Sequence, residues 1–256
     1  MSGIVDRLIV NFTDVSEFNY SVHVAEDFGF IYFSNPKTAC TTAKASINLT
    51  TAKARGQNLE FLSLGDIHDR KKNVLSSPAE VGYEKFENML RSSTVRKFAF
   101  VREPISRFAS AFASKLSFEN PLSDKVKSYL GKPHDTPIQD VLNINEFAQM
   151  VAQDHTLRDL DEHWRLQRKQ ICFEHVSDLE IGHQENAQTD LGMMLDGIFG
   201  AGQAVFFNAR ESFPNNASNS HELTQSLSER ARENIKSAYI DDYDMITRAK
   251  GIRPPS

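Results

Sequence analysis

Apolar residues in this chain fall into short runs with strand character and longer stretches with helical spacing. YSVHVAED and FGFIYFS set β-forming residues on both sides of a polar turn at Asp27 to Gly29, which predicts a hairpin. LEFLSL (59–64) and RKFAFV (96–101) are short apolar runs bounded by polar segments, and both read as buried strands. Helices are expected over Thr41–Ala54, Val81–Leu90, Ile105–Lys115 and Ile144–Gln153, with one long helix from Leu223 to about Arg248. In that last helix Tyr239, Tyr243 and Ile246 recur at helical spacing and predict one buried face. Strands alternating with helices imply an α/β fold with a central, mostly parallel sheet. Asn120–Thr136, with Pro121, Gly131, Pro133 and His134, reads as a mobile connection, and ESFPNNASNS (211–220) as a second polar loop. Phe206 and Phe207 read as core.

Composition narrows this picture. A chain of 256 residues, 40% of them hydrophobic, suits one large domain spanning 1–256 better than two small ones. A net charge of -5 argues against nonspecific nucleic-acid binding, so any anion site must be local. Cys40 and Cys172 make neither a disulfide framework nor a metal-ligand pattern. They suit a reduced, cytoplasmic protein. No apolar run approaches the roughly 20 residues of a membrane span. MSGIVDRLIV also lacks a signal-peptide layout. Without secretion, the glycosylation triplets at Asn11, Asn48 and Asn216 carry no weight.

Candidate chemistry begins in FIYFSNPKTACTTAKASI (30–47). A strand ends at Phe33, a helix is under way by Lys44, and a short turn lies between. Unpartnered N–H groups and the positive end of the helix dipole make such a turn an anion site. Lys37, Thr38, Thr41 and Thr42 would add an ammonium and three hydroxyls. The alternative makes Thr41 only an N-cap and Lys37 a solvated charge. In KFAFVREPISRFASAFASKL (97–116), Arg102 follows a strand, Pro104 suits a helix's first turn, and Arg107 and Ser110 lie three apart. Arg102 and Ser110 can converge beside the C-terminal edge of the sheet, and guanidinium forks match phosphate oxygens. The alternative pairs Arg102 with a carboxylate such as Glu103 and leaves Arg107 a surface charge.

NPKTACTT and FVREPISRFAS, in this order and spacing, resemble the sulfotransferases that use 3′-phosphoadenosine 5′-phosphosulfate, especially the Golgi carbohydrate type and its bacterial relatives. DEHWRLQRKQICFE (161–174) and IKSAYIDDYDMI (235–246) resemble the same family's H-W-x-x-Q segment and its closing Y-x-x-D-[YF] helix. Ala39 stands where many relatives carry glycine, and Cys172 is single where Golgi members often have a pair. The resemblance implies a P-loop-like nucleotide-binding fold. It also implies that Lys37, Thr38, Ala39, Cys40, Thr41 and Thr42 cradle the 5′-phosphosulfate, while Arg102 and Ser110 hold the 3′-phosphate. A late family loop that closes over the nucleotide would bring in Arg210, which otherwise is an ordinary strand exit.

Such an enzyme moves a sulfuryl group to an acceptor hydroxyl, most readily one on a carbohydrate, and needs no metal. Lys37 would stabilise the charge left on the departing phosphate. A base must take the acceptor's proton. His68, expected just beyond the LEFLSL strand, and His163, beside Glu162 and Trp164 as possible acceptor contacts, are the two candidates. Either histidine is otherwise a structural or surface residue. A P-loop kinase would need G-x-x-x-x-G-K-[ST], whereas here the lysine comes first and the glycines are absent. A non-catalytic nucleotide-binding protein would keep Arg102 and Ser110 but be free to lose Lys37 and the base.

Overall fold

The apolar runs FIYF and RKFAFV lie side by side in a five-stranded sheet. The computed structural model describes residues 3–213 and 219–251, without the side chains of Arg210 and Lys250. They form two compact units, one of residues 3–101, 167–213 and 248–251, the other of 102–166 and 219–247.

The first unit holds the sheet. Its strands are β1 (Val22–Ala25), β2 (Phe30–Phe33), β3 (Arg96–Val101), β4 (Leu179–His183) and β5 (Lys250–Gly251), adjacent in that order. β1 runs antiparallel to β2, with Gly29 turning the hairpin at φ 60°, and every other neighbouring pair is parallel. The α/β class with a mostly parallel sheet is therefore as the sequence predicts. β2 is buried along its whole length because parallel strands are covered on both faces, which explains their unbroken apolar sequence. Phe30, Tyr32, Phe98 and Phe100 pack there with Ile47 of helix Cys40–Ala54 and Leu191, Met194 and Leu195 of helix Ala187–Phe199.

Three expectations for this unit need correction, the second only in where the helix starts. LEFLSL is not a strand: Ser63 caps a short helix, Leu64–His68, and Asp66 reaches back to the backbone N–H of Leu62 and the hydroxyl of Ser63, both at 2.9 Å. That reciprocal cap outweighs β propensity and leaves Leu62 75% exposed. The helix expected over Val81–Leu90 breaks at Gly82, φ 88°, into Pro78–Val81 and Tyr83–Arg91. Phe206 is 49% exposed, and only Phe207 meets a core ring, that of Phe61.

The second unit is helical, around Phe108, Phe112, Phe147, Trp164, Ile235 and Tyr239. Phe147 stacks on Phe108 and meets the Trp164 ring edge-on at 5.2 Å. The helices Pro104–Lys115 and Ile144–Gln153 match expectation. The long helix does not form, being divided into Ser220–Ser226, Glu229–Ala238 and Ile240–Arg248. Ser228 caps the second piece, and the backbone leaves helical geometry at Tyr239. The buried face is Tyr239, Asp242 and Met245, with Tyr243 and Ile246 only half-buried. Asn120–Thr136 is not simply a loop: Asn120 caps helix Pro121–Tyr129, and the buried Lys127 ammonium binds Glu119 at 2.6 Å and the carbonyl of His134 at 2.8 Å. The expected loop 211–220 lies partly outside the described residues. No described helix is long and apolar enough to cross a membrane.

Candidate functional site

The turn after β2 is fixed from within the first unit. Asn35 is fully buried, and its amide donates to the carbonyl of Phe100 at 3.0 Å and to Gln167 Oε1 at 3.1 Å. The Thr38 hydroxyl donates to the Asn35 carbonyl at 2.7 Å, so this side chain closes the turn on itself. Lys37 and Ala39 both take left-handed backbone, φ 69° and 66°. Ala39 is the N-cap residue of helix Cys40–Ala54 and supplies no side-chain cap. The helix's first N–H groups thus lack the side-chain acceptor that would compete with an anion. Cys40, Thr41 and Thr42 form the first turn and are half-buried, as is Lys37. Neither Asn35 nor Gln167 stands out by composition. Gln167 is visible only as the last residue of H-W-x-x-Q.

His68 ends helix Leu64–His68 against this turn. Its Nε2 lies 3.2 Å from the Thr41 hydroxyl and its Nδ1 3.5 Å from the Tyr20 hydroxyl. The Lys44 ammonium stands over the Tyr20 ring, 4.6 Å from its centroid. Behind them His23, buried on β1, stacks on Tyr32 and meets the Arg70 guanidinium at Nδ1. Burial, with Lys44, Arg70 and His68 nearby, holds the His23 pKa well below the usual histidine value. No motif in the sequence marks His23, Arg70 or Tyr20, because the topology alone assembles them.

In the second unit Arg102 Nε donates to the Ser106 hydroxyl at 3.0 Å. Ser110 lies one turn beyond Ser106 on helix Pro104–Lys115, so the two hydroxyls share a helix face, and Arg102, which precedes the helix, meets that face at Ser106. Glu103 caps that helix through the N–H groups of Ile105 and Ser106, and takes a hydrogen bond from Tyr243. Arg107 is no surface charge: buried, it donates to the carbonyls of Arg165 at 2.8 Å and Glu162 at 2.9 Å. Burial lowers its pKa, with the buried Asp242 acting in the opposite sense. Tyr239 also donates to the carbonyl of Trp164. The Y-x-x-D-Y residues therefore brace the stretch that carries Arg102.

His163 Nδ1 is 2.6 Å from Asp161, with the imidazole partly exposed. Burial pushes the Asp161 carboxyl up, but the hydrogen bond and charge of His163 outweigh it and hold the pKa below the ordinary value. Asp161 is thus ionised near neutrality and acceptor-only, so the Nδ1 that faces it carries a proton. Trp164 is fully buried, its indole N–H bound to Leu157, and presents no face to a sugar. The backbone of Arg210 lies in helix Ala209–Ser212, and its side chain falls outside the description.

The model of the Sulfotransferase family matches residues 20–246. Carbohydrate sulfotransferase 12 of Mus musculus is 25% identical over 207 residues, covering 70% of this chain and 49% of that protein. Carbohydrate sulfotransferase 8 of Mus musculus is 26% identical over 243 residues, covering 90% and 56%. The chain thus spans about half the length of the curated relatives it matches. No solved structure matches it.

Proposed function

Because the chain belongs to the sulfotransferase family, we propose that it transfers a sulfuryl group from 3′-phosphoadenosine 5′-phosphosulfate to a hydroxyl of a carbohydrate. The observation that carries this is the uncapped helix start at Ala39, reached through a turn that bears Lys37 and is locked by Asn35, Gln167 and Thr38. Backbone N–H groups with Thr41 and Thr42 suit the 5′-phosphate. Arg102, held by Ser106 to the helix face that Ser110 shares, suits the 3′-phosphate. The carbohydrate acceptor rests on the two relatives, both named carbohydrate sulfotransferases.

In the step, the acceptor oxygen forms a bond to sulfur as the bond from sulfur to the bridging oxygen breaks. The electron pair stays on the 5′-phosphate, where the Lys37 ammonium offsets the new charge. The acceptor's proton goes to a base. His163 is the better supported of the two histidines, since Asp161 orients its ring and leaves Nε2 of the neutral ring able to accept. The products are a sulfate ester and adenosine 3′,5′-bisphosphate.

A thermal-shift comparison tests the donor, because a ligand that binds only the folded form raises its apparent stability. Adenosine 3′,5′-bisphosphate is expected to raise the melting temperature, and ATP with Mg²⁺ to do so far less. A larger shift with ATP and Mg²⁺ would move the chain to the kinase reading. Arg102→Ala should erase the preference for the bisphosphate over adenosine 5′-monophosphate, since it removes the charged partner assigned to the 3′-phosphate.

A further inference from the structure

The His68 imidazole meets the hydroxyls of Thr41 and Tyr20, and the direction of each contact follows from what each partner can donate. In the assignment above, the Thr41 hydroxyl faces a phosphate, and a phosphate oxygen only accepts at neutral pH. Thr41 must then spend its one O–H on the phosphate, and its oxygen can only accept from His68. Nε2, 3.2 Å away, would carry the ring proton. Nδ1 is then the lone-pair nitrogen, and the Tyr20 hydroxyl at 3.5 Å is the donor that faces it. Lys44, above the Tyr20 ring, adds packing that holds this phenol in place.

We propose that His68 is a positioning residue on the donor side: in the nucleotide-bound protein it is the neutral Nε2–H tautomer, relaying a one-way chain from the Tyr20 hydroxyl through the imidazole to Thr41, which aims the Thr41 proton at the 5′-phosphate. The inference rests on the donor assignment above and goes beyond it by removing His68 from proton abstraction. With Nε2 protonated and Nδ1 engaged by Tyr20, neither nitrogen is open to a proton from an acceptor hydroxyl. The opposite polarity, with Thr41 donating to Nε2 and Nδ1–H donating to Tyr20, satisfies the same distances in the nucleotide-free protein. Binding a 5′-phosphate would therefore select between the two tautomers.

Calorimetry with two nucleotides and nitrogen NMR of the ring test this together. His68→Ala should weaken adenosine 3′,5′-bisphosphate about three- to tenfold, the range of one neutral hydrogen bond. It should leave adenosine 3′-phosphate, which lacks the group Thr41 faces, unchanged. His68→Gln, whose amide N–H reaches about as far as Nε2–H, should recover most of the loss. His68→Ala added to Thr41→Val should cost nothing further, because the relay has lost its target. In the wild-type bisphosphate complex, the His68 ring should give the Nε2–H signature. A Nδ1–H ring in that complex overturns the proposal, and so does equal weakening of both nucleotides, which would mark a merely structural residue. A His68→Gln variant as weak as His68→Ala also overturns it. Wild-type protein that fails to bind the bisphosphate would instead sink the donor assignment on which the inference stands.

Discussion

Ala39 shows how one residue carries both fold and chemistry. Its φ of 66° costs a side chain with a Cβ roughly 1–2 kcal/mol. Glycine avoids that cost, which gives a physical reason for the glycine many relatives carry there. Ala39→Gly is expected to raise stability by about 0.5–1 kcal/mol in urea denaturation, the relief of strain being partly offset by the greater freedom of glycine in the unfolded chain. A loss of stability would show that the alanine methyl makes a packing contact worth more than the strain. Lys37→Ala should lower kcat by a factor on the order of a hundred while adenosine 3′,5′-bisphosphate still binds, as for loss of a preorganised charge. Near-normal turnover with saturating donor would return Lys37 to the status of a surface cation. Asp161→Asn should cost a similar factor, about 100-fold, because an amide can donate to Nδ1 and drive the proton onto Nε2. Near-normal turnover in this variant would exclude His163 as the base.

At the level of elements, the strands and helices that carry Lys37 and Arg102 were legible, because burial on both sheet faces demands unbroken apolar sequence and helix Pro104–Lys115 announces itself with Pro104. What misled was local capping. Ser63 with Asp66, and Ser228 before Ala231, turned an apparent strand and an apparent long helix into short capped helices. Apolar periodicity does not register such reciprocal hydrogen bonds. The same limit hid the supports of the site. Asn35, Gln167, Ser106 and Tyr20 work through contacts between residues far apart in sequence or through a single hydroxyl, and Trp164 proved to be core where a sugar contact was expected. Arg107 gives this scale its test. Arg107→Ala should destabilise the protein by about 3–5 kcal/mol, since it strands buried Asp242 and two backbone carbonyls. Tyr243→Phe, which removes only one bond to the Glu103 cap, should cost about 1 kcal/mol. Comparable denaturant midpoints for the two variants would contradict the burial argument.

Over the whole chain, a net charge of -5 coexists with sequestered basic groups, and their titration predicts how stability depends on pH. His23 is buried, and burial first, then Lys44, Arg70 and His68, hold its pKa well below the unfolded value near 6.5. The unfolded chain therefore takes up this proton first as pH falls. The native state loses stability from about pH 6.5 downward, by about 1.4 kcal/mol per pH unit for one such group, until the lowered native pKa is reached. Asp27 and Asp161 act at lower pH and in the same sense, since their native pKa values are also lowered. The hydrogen bond from Arg55 lowers the Asp27 pKa, and His163 lowers that of Asp161 against the effect of burial. Their contribution is fully present above the unfolded carboxylate pKa near 3.9 and is lost as pH falls through the native values below it. Urea midpoints measured from pH 7.5 to 3 should therefore decline in two stages, the first beginning near pH 6.5 and the second near pH 4. His23→Gln should remove much of the first stage and leave the second, because glutamine fills the site without a titrating group. A wild-type midpoint that stays flat between pH 7 and 5 would mean that His23 takes up its proton as readily in the folded chain as in the unfolded one, and that the basic cluster around it is solvated.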